Sequence, residues 1–269
     1  MDLLRSLLRR PLPTDDKYSR GVVGFITGSE TYPGAALLGI NAAMRTGVGM
    51  VRYLGPASIG SMVLETHPEV VLQDGRCQAW VLGSGVVPDA VGQSEQIREV
   101  LMRENVAVVD AGALELVNVD EVQASCVLTP HAGELSRLFD RFGKKVSRAE
   151  IEGNPVSHAV EAAMLTKQVV LLKGNITTVA SPDGTFAQTE PANPALATAG
   201  SGDVLAGILG ALLASNRPQI DSGDLNLAQI ALAAAQLHSL AADRAAMAGP
   251  MVASDLPDAL RSIVGEYFA

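Results

Sequence analysis

The sequence predicts an α/β protein with a doubly wound, mostly parallel central sheet, and three observations carry that expectation. Short apolar runs bounded by glycine or proline recur: VVGFITG (22–28), GMVRYLG (49–55), AWVLGSG (79–85), VAVVDAG (106–112), CVLTP (126–130) and VVLLKG (169–174). They are apolar on both faces, as parallel strands covered by helices on both sides must be. Helix-like stretches at 34–47, 89–104, 131–141 and 154–167 lie between them, and this alternation builds a parallel sheet. The composition agrees: 48% hydrophobic but only 4% aromatic, with 26 glycines, which suits helices packed closely over buried strands.

The pattern changes after residue 174. ITTVASPDGTFAQT reads as a hairpin turning at Pro182-Asp183-Gly184, because proline and glycine supply the backbone angles of a tight turn. Two Ala/Leu-rich helices follow, at 202–214 and roughly 226–247. At the other end, MDLLRSLLRRPLPTDD has apolar positions broken by Arg5, Arg9 and Arg10 and no cleavage site. It reads as a short amphipathic helix or a frayed arm over 1–19 rather than a targeting segment. There is no internal repeat or linker, so residues 1–269 are expected to form one domain, large enough to bury a substantial core.

The net charge of −9 argues against broad binding to nucleic acid or anionic lipid. Cys77 and Cys126 form neither a disulfide framework nor a CxxC metal site, which points to a reducing, cytoplasmic compartment. No run is long and uncharged enough to span a membrane. Ligands of open α/β sheets gather at the carboxyl ends of the strands. Here those ends read Gly28-Ser29, Gly83-Ser84-Gly85, Asp110, Thr129-Pro130-His131 and Lys173-Gly174, with Gly200 to Asp203 completing one rim.

The sharpest local signal is AGSGD (199–203), a glycine loop running into an apolar helix. Free backbone N–H groups and the helix dipole make such a junction an anion site. Asp203 there has two readings: an N-cap, or a base that takes a proton from a hydroxyl attacking a bound phosphoryl group. A carboxylate beside phosphate is repelled, which favours proton acceptance. LLKGNITTV (171–179) sets Lys173 at a strand end, either solvated or pointing into a phosphate cleft. In LTPHAGELSRLF (128–139), His131 begins a helix, as a bystander or as a ligand hydrogen-bond donor. Gly34, Ala35 and Ala36 allow close approach of either a ligand or the sheet. His67, His158 and His238 lack metal-site spacing and read as structural. No G-x-S-x-G elbow, Walker lysine motif or G-x-G-x-x-G fingerprint is present.

Taken in order and spacing, GSETYPGAALLGINAAMRTGVGMVRY, TPHAGELSRL, VVLLKGNITTV and NPALATAGSGDVLAGILGALLA closely resemble the ADP-dependent NAD(P)H-hydrate dehydratases of the ribokinase-like superfamily. The likeness runs from about residue 20 to about residue 260. It implies a three-layer α/β/α sandwich. It also implies dehydration of the 6S epimer of hydrated NADH or NADPH, driven by conversion of ADP to AMP and phosphate, with Mg²⁺ on the nucleotide. It further implies a homotetramer and, since the chain has no room for the epimerase often fused to this family, a separate epimerase. By motif, the nucleotide contacts correspond to Lys173, Gly174, Asn175, Ile176, Thr177 and Gly202. The substrate contacts correspond to Ala35, Gly85, His131 and Asp203, with Asp203 as the catalytic base, and no metal ligand is assigned.

Two segments depart from the family pattern. G-P-G-L-G becomes Gly83-Ser84-Gly85-Val86-Val87, and D-A-D-A-L becomes Asp110-Ala111-Gly112-Ala113-Leu114. Either the second acid is dispensable or the substrate has drifted. An ATP-dependent kinase of the same superfamily, acting on a vitamin-precursor alcohol, would use the same aspartate. A nucleotide-sensing protein without turnover would have no need of it.

Overall fold

The computed structural model describes residues 3–269. In chain order its elements are α1 (Leu3–Leu7), β1 (Val22–Ile26), α2 (Pro33–Thr46), β2 (Met50–Tyr53), α3 (Ala57–Thr66), β3 (Ala79–Leu82), α4 (Val91–Leu101) and β4 (Val106–Val109). There follow β5 (Ser125–Leu128), α5 (Ala132–Arg141), α6 (Arg148–Gly153), α7 (Pro155–Thr166), β6 (Val169–Leu172), β7 (Thr178–Ala180) and β8 (Phe186–Gln188). The chain ends with α8 (Ser201–Ser215), α9 (Arg217–Ser222), α10 (Leu227–Ala246) and α11 (Leu256–Phe268). All six apolar runs are strands, and the Pro182–Gly184 turn joins the antiparallel pair β7–β8. Helices α3, α6, α9 and α11 were not expected from periodicity; α6 and α9, at six residues each, are too short to display one.

One eight-stranded sheet runs in the order β2-β1-β3-β4-β5-β6-β7-β8. Pairings from β2 through β6 are parallel, and those of β6 with β7 and β7 with β8 are antiparallel. This is the ribokinase-like α/β arrangement that the family resemblance implies. The chain leaves β1 towards β2 on one side and returns to β3 on the other, so a crevice opens at the carboxyl ends of β1 and β3. Two apolar cores flank the sheet. One is built largely by α2, α8, α10 and α11, the other by α4, α5 and α7. The 1–19 segment contains α1, whose Leu4 and Leu7, with Leu8, are buried in the first core. Asn216 Nδ2 donates to the Leu7 carbonyl at 3.1 Å, and Arg9 pairs with Asp15.

Helix α8 fixes the position of the site. Every residue from Val204 to Ala214 is buried, so the helix is apolar all round, the signature of one enclosed on all sides. Two glycines allow that enclosure. A Cβ on Gly207 would run into the carbonyl of Gly39 in α2, and one on Gly210 would run into Val81 of β3. Gly39 also lies against the backbone of Asp203, where a Cβ would come within 3.3 Å of the Asp203 carbonyl oxygen. Gly207→Ala is therefore expected to cost about 1–3 kcal/mol, the usual range for overpacking a dense core. The resulting shift of α8 against α2 should lower activity as well. Denaturant unfolding with a parallel rate measurement checks both.

Candidate active site

The first turn of α8 settles where Asp203 stands. Gly200 is the N-cap residue, held in the left-handed region at φ 90°, and no side chain caps the helix. Asp203 lies three positions inside, so of its two readings that of the N-cap does not hold. The reason is Gly200 itself, whose left-handed backbone favours glycine and starts the helix earlier. Ser201 N–H donates to the Thr198 carbonyl at 3.4 Å; with no side-chain cap, the amides of Gly202 and Asp203 are left to an external acceptor, an anion above all.

Four strand ends gather beside this turn. Asp110, directly after β4, is buried and is the focus of a side-chain network. Its Oδ1 accepts from Lys173 Nζ at 2.8 Å and from Thr129 Oγ1 at 2.8 Å; its Oδ2 accepts from Ser84 Oγ at 2.9 Å. Burial pushes the carboxyl pKa up, but the Lys173 charge and these hydrogen bonds outweigh burial and hold it below the usual carboxylate value. Lys173 is only 20% exposed and also lies 3.6 Å from Glu134 Oε2. Burial pulls its ammonium down, while Asp110, Glu134 and Asp203 more than offset that and raise it. Both partners are therefore charged at neutral pH.

Asp203 has the opposite character. Burial and the nearby Asp110 charge push its carboxyl up to about 7, against the lowering influence of Lys173. It is poised to exchange a proton near neutrality, the property required of a general base. Ala111, following Asp110, is in the left-handed region at φ 44°, where a non-glycine residue costs on the order of 1–2 kcal/mol. That backbone turns the chain away directly behind the carboxylate.

The residues expected at the site, Asp203 apart, fall into three neighbourhoods. Lys173, Gly174, Asn175, Thr177 and Gly202 line one cavity of about 330 Å³, together with Thr189, the 192–197 loop and His238. A Cβ on Gly202 would sit 3.5 Å from Lys173 Nζ, so the ammonium borders the helix N-terminus. The loop is held in place by Asn193 Nδ2, which donates to Asp243 Oδ1 at 2.9 Å. Ile176 lies apart from this group: its side chain is exposed and lines a second cavity of about 540 Å³ with His131, Arg148 and Lys173.

His131 caps α5. Its Nδ1 accepts from the Gly133 and Glu134 amides at 3.0 and 3.2 Å, and the Glu134 side chain reciprocates to the His131 amide. Burial and the Lys173 charge lower its pKa despite Glu134, so the ring is neutral at pH 7. With Nδ1 accepting, the proton sits on Nε2, which is then a donor. Ala35 and Gly85 meet across the β1–β3 crevice: a Cβ on Gly85, at φ 69°, would fall 2.6 Å from the Ala35 Cβ.

The two altered segments face one another. Ser84 supplies a hydrogen bond to Asp110, and a Cβ on Gly112 would run into the Val86 carbonyl. Glycine at 112, in place of a second acid, thus matches the chain path through Val86. Sequence reasoning placed Asp110 on the rim without a role. Its only local signal is an acid closing a run of four apolar residues.

No group of three His, Cys, Asp or Glu side chains capable of holding a metal occurs among the described residues. No helix among them is long and apolar enough to cross a membrane. Cys77 and Cys126 are free thiols, both pushed up to about 12 by burial.

Residues 23–264 match the family model described as NAD(P)H-hydrate dehydratase. The chain is 37% identical to a bifunctional NAD(P)H-hydrate repair enzyme Nnr of Corynebacterium glutamicum, over 93% of this chain and 48% of that protein. It is 32% identical to an ADP-dependent (S)-NAD(P)H-hydrate dehydratase of Neisseria meningitidis, over 90% of this chain and 84% of the relative. Among solved structures, an ADP/ATP-dependent NAD(P)H-hydrate dehydratase of Bacillus subtilis, co-crystallised with ATP and Mg²⁺, superposes with a TM-score of 0.84. Its identity is 26%, with 99% of this chain and 96% of that one covered. The chain thus spans about half the length of the bifunctional relative and most of the length of the other two.

Proposed function

Because the chain belongs to the NAD(P)H-hydrate dehydratase family, we propose that it removes water from the 6S epimer of hydrated NADH or NADPH, converting ADP to AMP and phosphate. The observation that carries this reading is the pairing of two opposed environments in one turn. An uncapped helix N-terminus bordered by the Lys173 ammonium suits a phosphate. Beside it, Asp203 has its carboxyl pushed up to about 7.

In this reading Lys173, Gly174, Asn175, Thr177 and Gly202 hold the nucleotide, with Ile176 contributing through its backbone. Ala35, Gly85 and the Nε2–H of His131 hold the hydrated dihydropyridine ring. Asp203 takes the proton from the C6 hydroxyl, whose oxygen attacks the β-phosphorus of ADP. The bond from that phosphorus to the bridging oxygen breaks, and AMP leaves. The amide N–H groups of the α8 N-terminus and Lys173 stabilise the charge on the transferring group. The ring nitrogen lone pair then expels phosphate from C6, and loss of a proton from C5 restores the ring double bond. Phosphate is a far better leaving group than hydroxide, which is what coupling to the nucleotide achieves.

Mg²⁺ neutralises phosphate charge in such reactions. Bound with the nucleotide, the ion would shield the phosphate oxygens as the β-phosphoryl group transfers. A homotetramer in the cytoplasm, working alongside an epimerase, completes the proposal; the bifunctional relative pairs related activities in one chain.

The test incubates the folded protein with 6S-hydrated NADH and either ADP or ATP, following return of reduced-nicotinamide absorbance. Recovery with stoichiometric AMP and phosphate is expected with ADP. No recovery with either nucleotide overturns the reading, and accumulation of a stable phosphorylated product points to a kinase instead.

A further inference from the structure

Asp110 lies at the end of β4, outside the contacts assigned to either substrate, yet it joins the ends of four strands. Ser84 follows β3, Thr129 follows β5, and Lys173 follows β6; each donates to its carboxylate at 2.8–2.9 Å. A fully buried acid with three side-chain donors is a built feature, since each donor satisfies a lone pair that would otherwise be stranded. Lys173 has three donors on a flexible stem, so without a fixed acceptor its ammonium would not be confined to the wall of the nucleotide cavity. Asp110 is that acceptor, with Glu134 behind it at 3.6 Å.

We propose that Asp110 is a positioning residue for the reaction, anchoring the Lys173 ammonium in the wall of the nucleotide cavity and placing a second negative charge within electrostatic reach of Asp203. The inference rests on the reading of Asp203 as the base. It assigns one group two effects, because the charge that fixes the cation also makes ionised Asp203 less favourable and hence a better proton acceptor. The other groups around Asp203 do not supply this. Lys173 acts in the opposite sense. His131, at the start of α5, is neutral at pH 7, as is His238 on α10, whose burial pulls it down to about 4. Glu134 is engaged by the His131 amide and lies near Lys173.

Asp110→Asn is the test, because it removes the charge and keeps the shape and an acceptor for Lys173. The Ser84 hydroxyl can reverse its hydrogen bond to suit. Two readouts are expected to move. The acid limb of the kcat/KM profile shifts to lower pH by about one unit, the scale of a single nearby like charge. The KM for ADP rises about tenfold, as the cation loses its charged anchor. Independently of turnover, ¹³C NMR of the Asp203 carboxyl should show the same downward shift in its titration midpoint. A folded variant that loses kcat equally at every pH, with an unchanged Asp203 midpoint, overturns the proposal and leaves Asp110 a packing residue. Wild-type protein with no turnover, but with an Asp203 midpoint that responds to Asp110→Asn, would fail the dehydratase reading and not this one. Should Asp110→Asn not fold, the double variant D110N/K173M removes the buried Asp110–Lys173 pair together, so neither is left without the other. Its Asp203 midpoint is then compared with that of K173M: a lower value supports the proposal and an equal one overturns it.

Discussion

Replacing Asp203 by asparagine is expected to lower kcat by about 10²–10⁴-fold, the usual contribution of a positioned general base, while ADP binding stays within about twofold of wild type. The separation follows from geometry. The nucleotide cavity is lined by Lys173, Gly174, Asn175, Thr177 and Gly202, and Asp203 is not among its lining residues. Calorimetric titration with ADP, beside a steady-state assay, separates the two effects. In the wild type, activity should fall on the acid side with a midpoint near 7, where Asp203 takes up its proton. The residual activity of the variant should lose that limb.

The same substitution has a stability consequence of defined sign. The folded pKa of Asp203 lies above its ordinary value of 3.8, so the folded state holds a proton that the unfolded state has released between those two pH values. Stability from this group is fully present below pH 4 and is lost as pH rises through 7. At roughly 1.4 kcal/mol for each pH unit separating the folded and unfolded values, the ionised carboxylate costs the wild-type fold a few kcal/mol at pH 8. The neutral amide of Asp203→Asn avoids that cost. The variant should therefore melt above wild type at pH 8, with the gap closing towards pH 4. Loss of folding and ADP binding together would instead make Asp203 a structural residue.

How far the site could be read from the chain depends on whether its parts are local. The GSGD loop before an apolar run, and a lysine closing VVLL, announce themselves because strand, loop and helix start are contiguous. Whether Asp203 caps α8 was not local. It turns on Gly200 adopting the left-handed region, in a spot where a Cβ would press on Leu38 and Ala253 from elsewhere in the chain. Asp110 was less legible still, since its three donors lie 19, 26 and 63 residues away. Only the strand order β3-β4-β5-β6 brings them together. The fold shows the same division. Six buried parallel strands and the long α8 and α10 stand out in the chain as apolar runs of the right length. The short α6 and α9 exist because neighbouring elements and caps stabilise them, as in the Ser147–Glu150 capping box that starts α6.

Lys173→Met is expected to be the most damaging change to the fold within the site, because it strands Asp110. A buried carboxylate that keeps its charge and loses its cation costs about 3–5 kcal/mol. The methionine stem replaces the packing of the lysine but none of its charge. Two signs follow. Asp110 is held below its ordinary pKa by Lys173 first among the groups that lower it, so in the wild type this pair contributes stability above pH 4 that is lost on acidification. The variant never has it. The difference in melting temperature should be widest at neutral pH and shrink as the buffer approaches pH 3.5, where Asp110 in the variant is protonated. Removing the cation also removes the charge that lowers the Asp203 carboxyl, so any residual activity should show its acid limb above pH 7. That is the opposite direction to Asp110→Asn. ADP affinity should fall about 10–100-fold, the worth of a charge-assisted hydrogen bond to phosphate. Thermal melts across pH, with ADP titrations, check all three. An unchanged acid limb with weakened ADP binding would confine Lys173 to nucleotide capture and separate it from the control of Asp203.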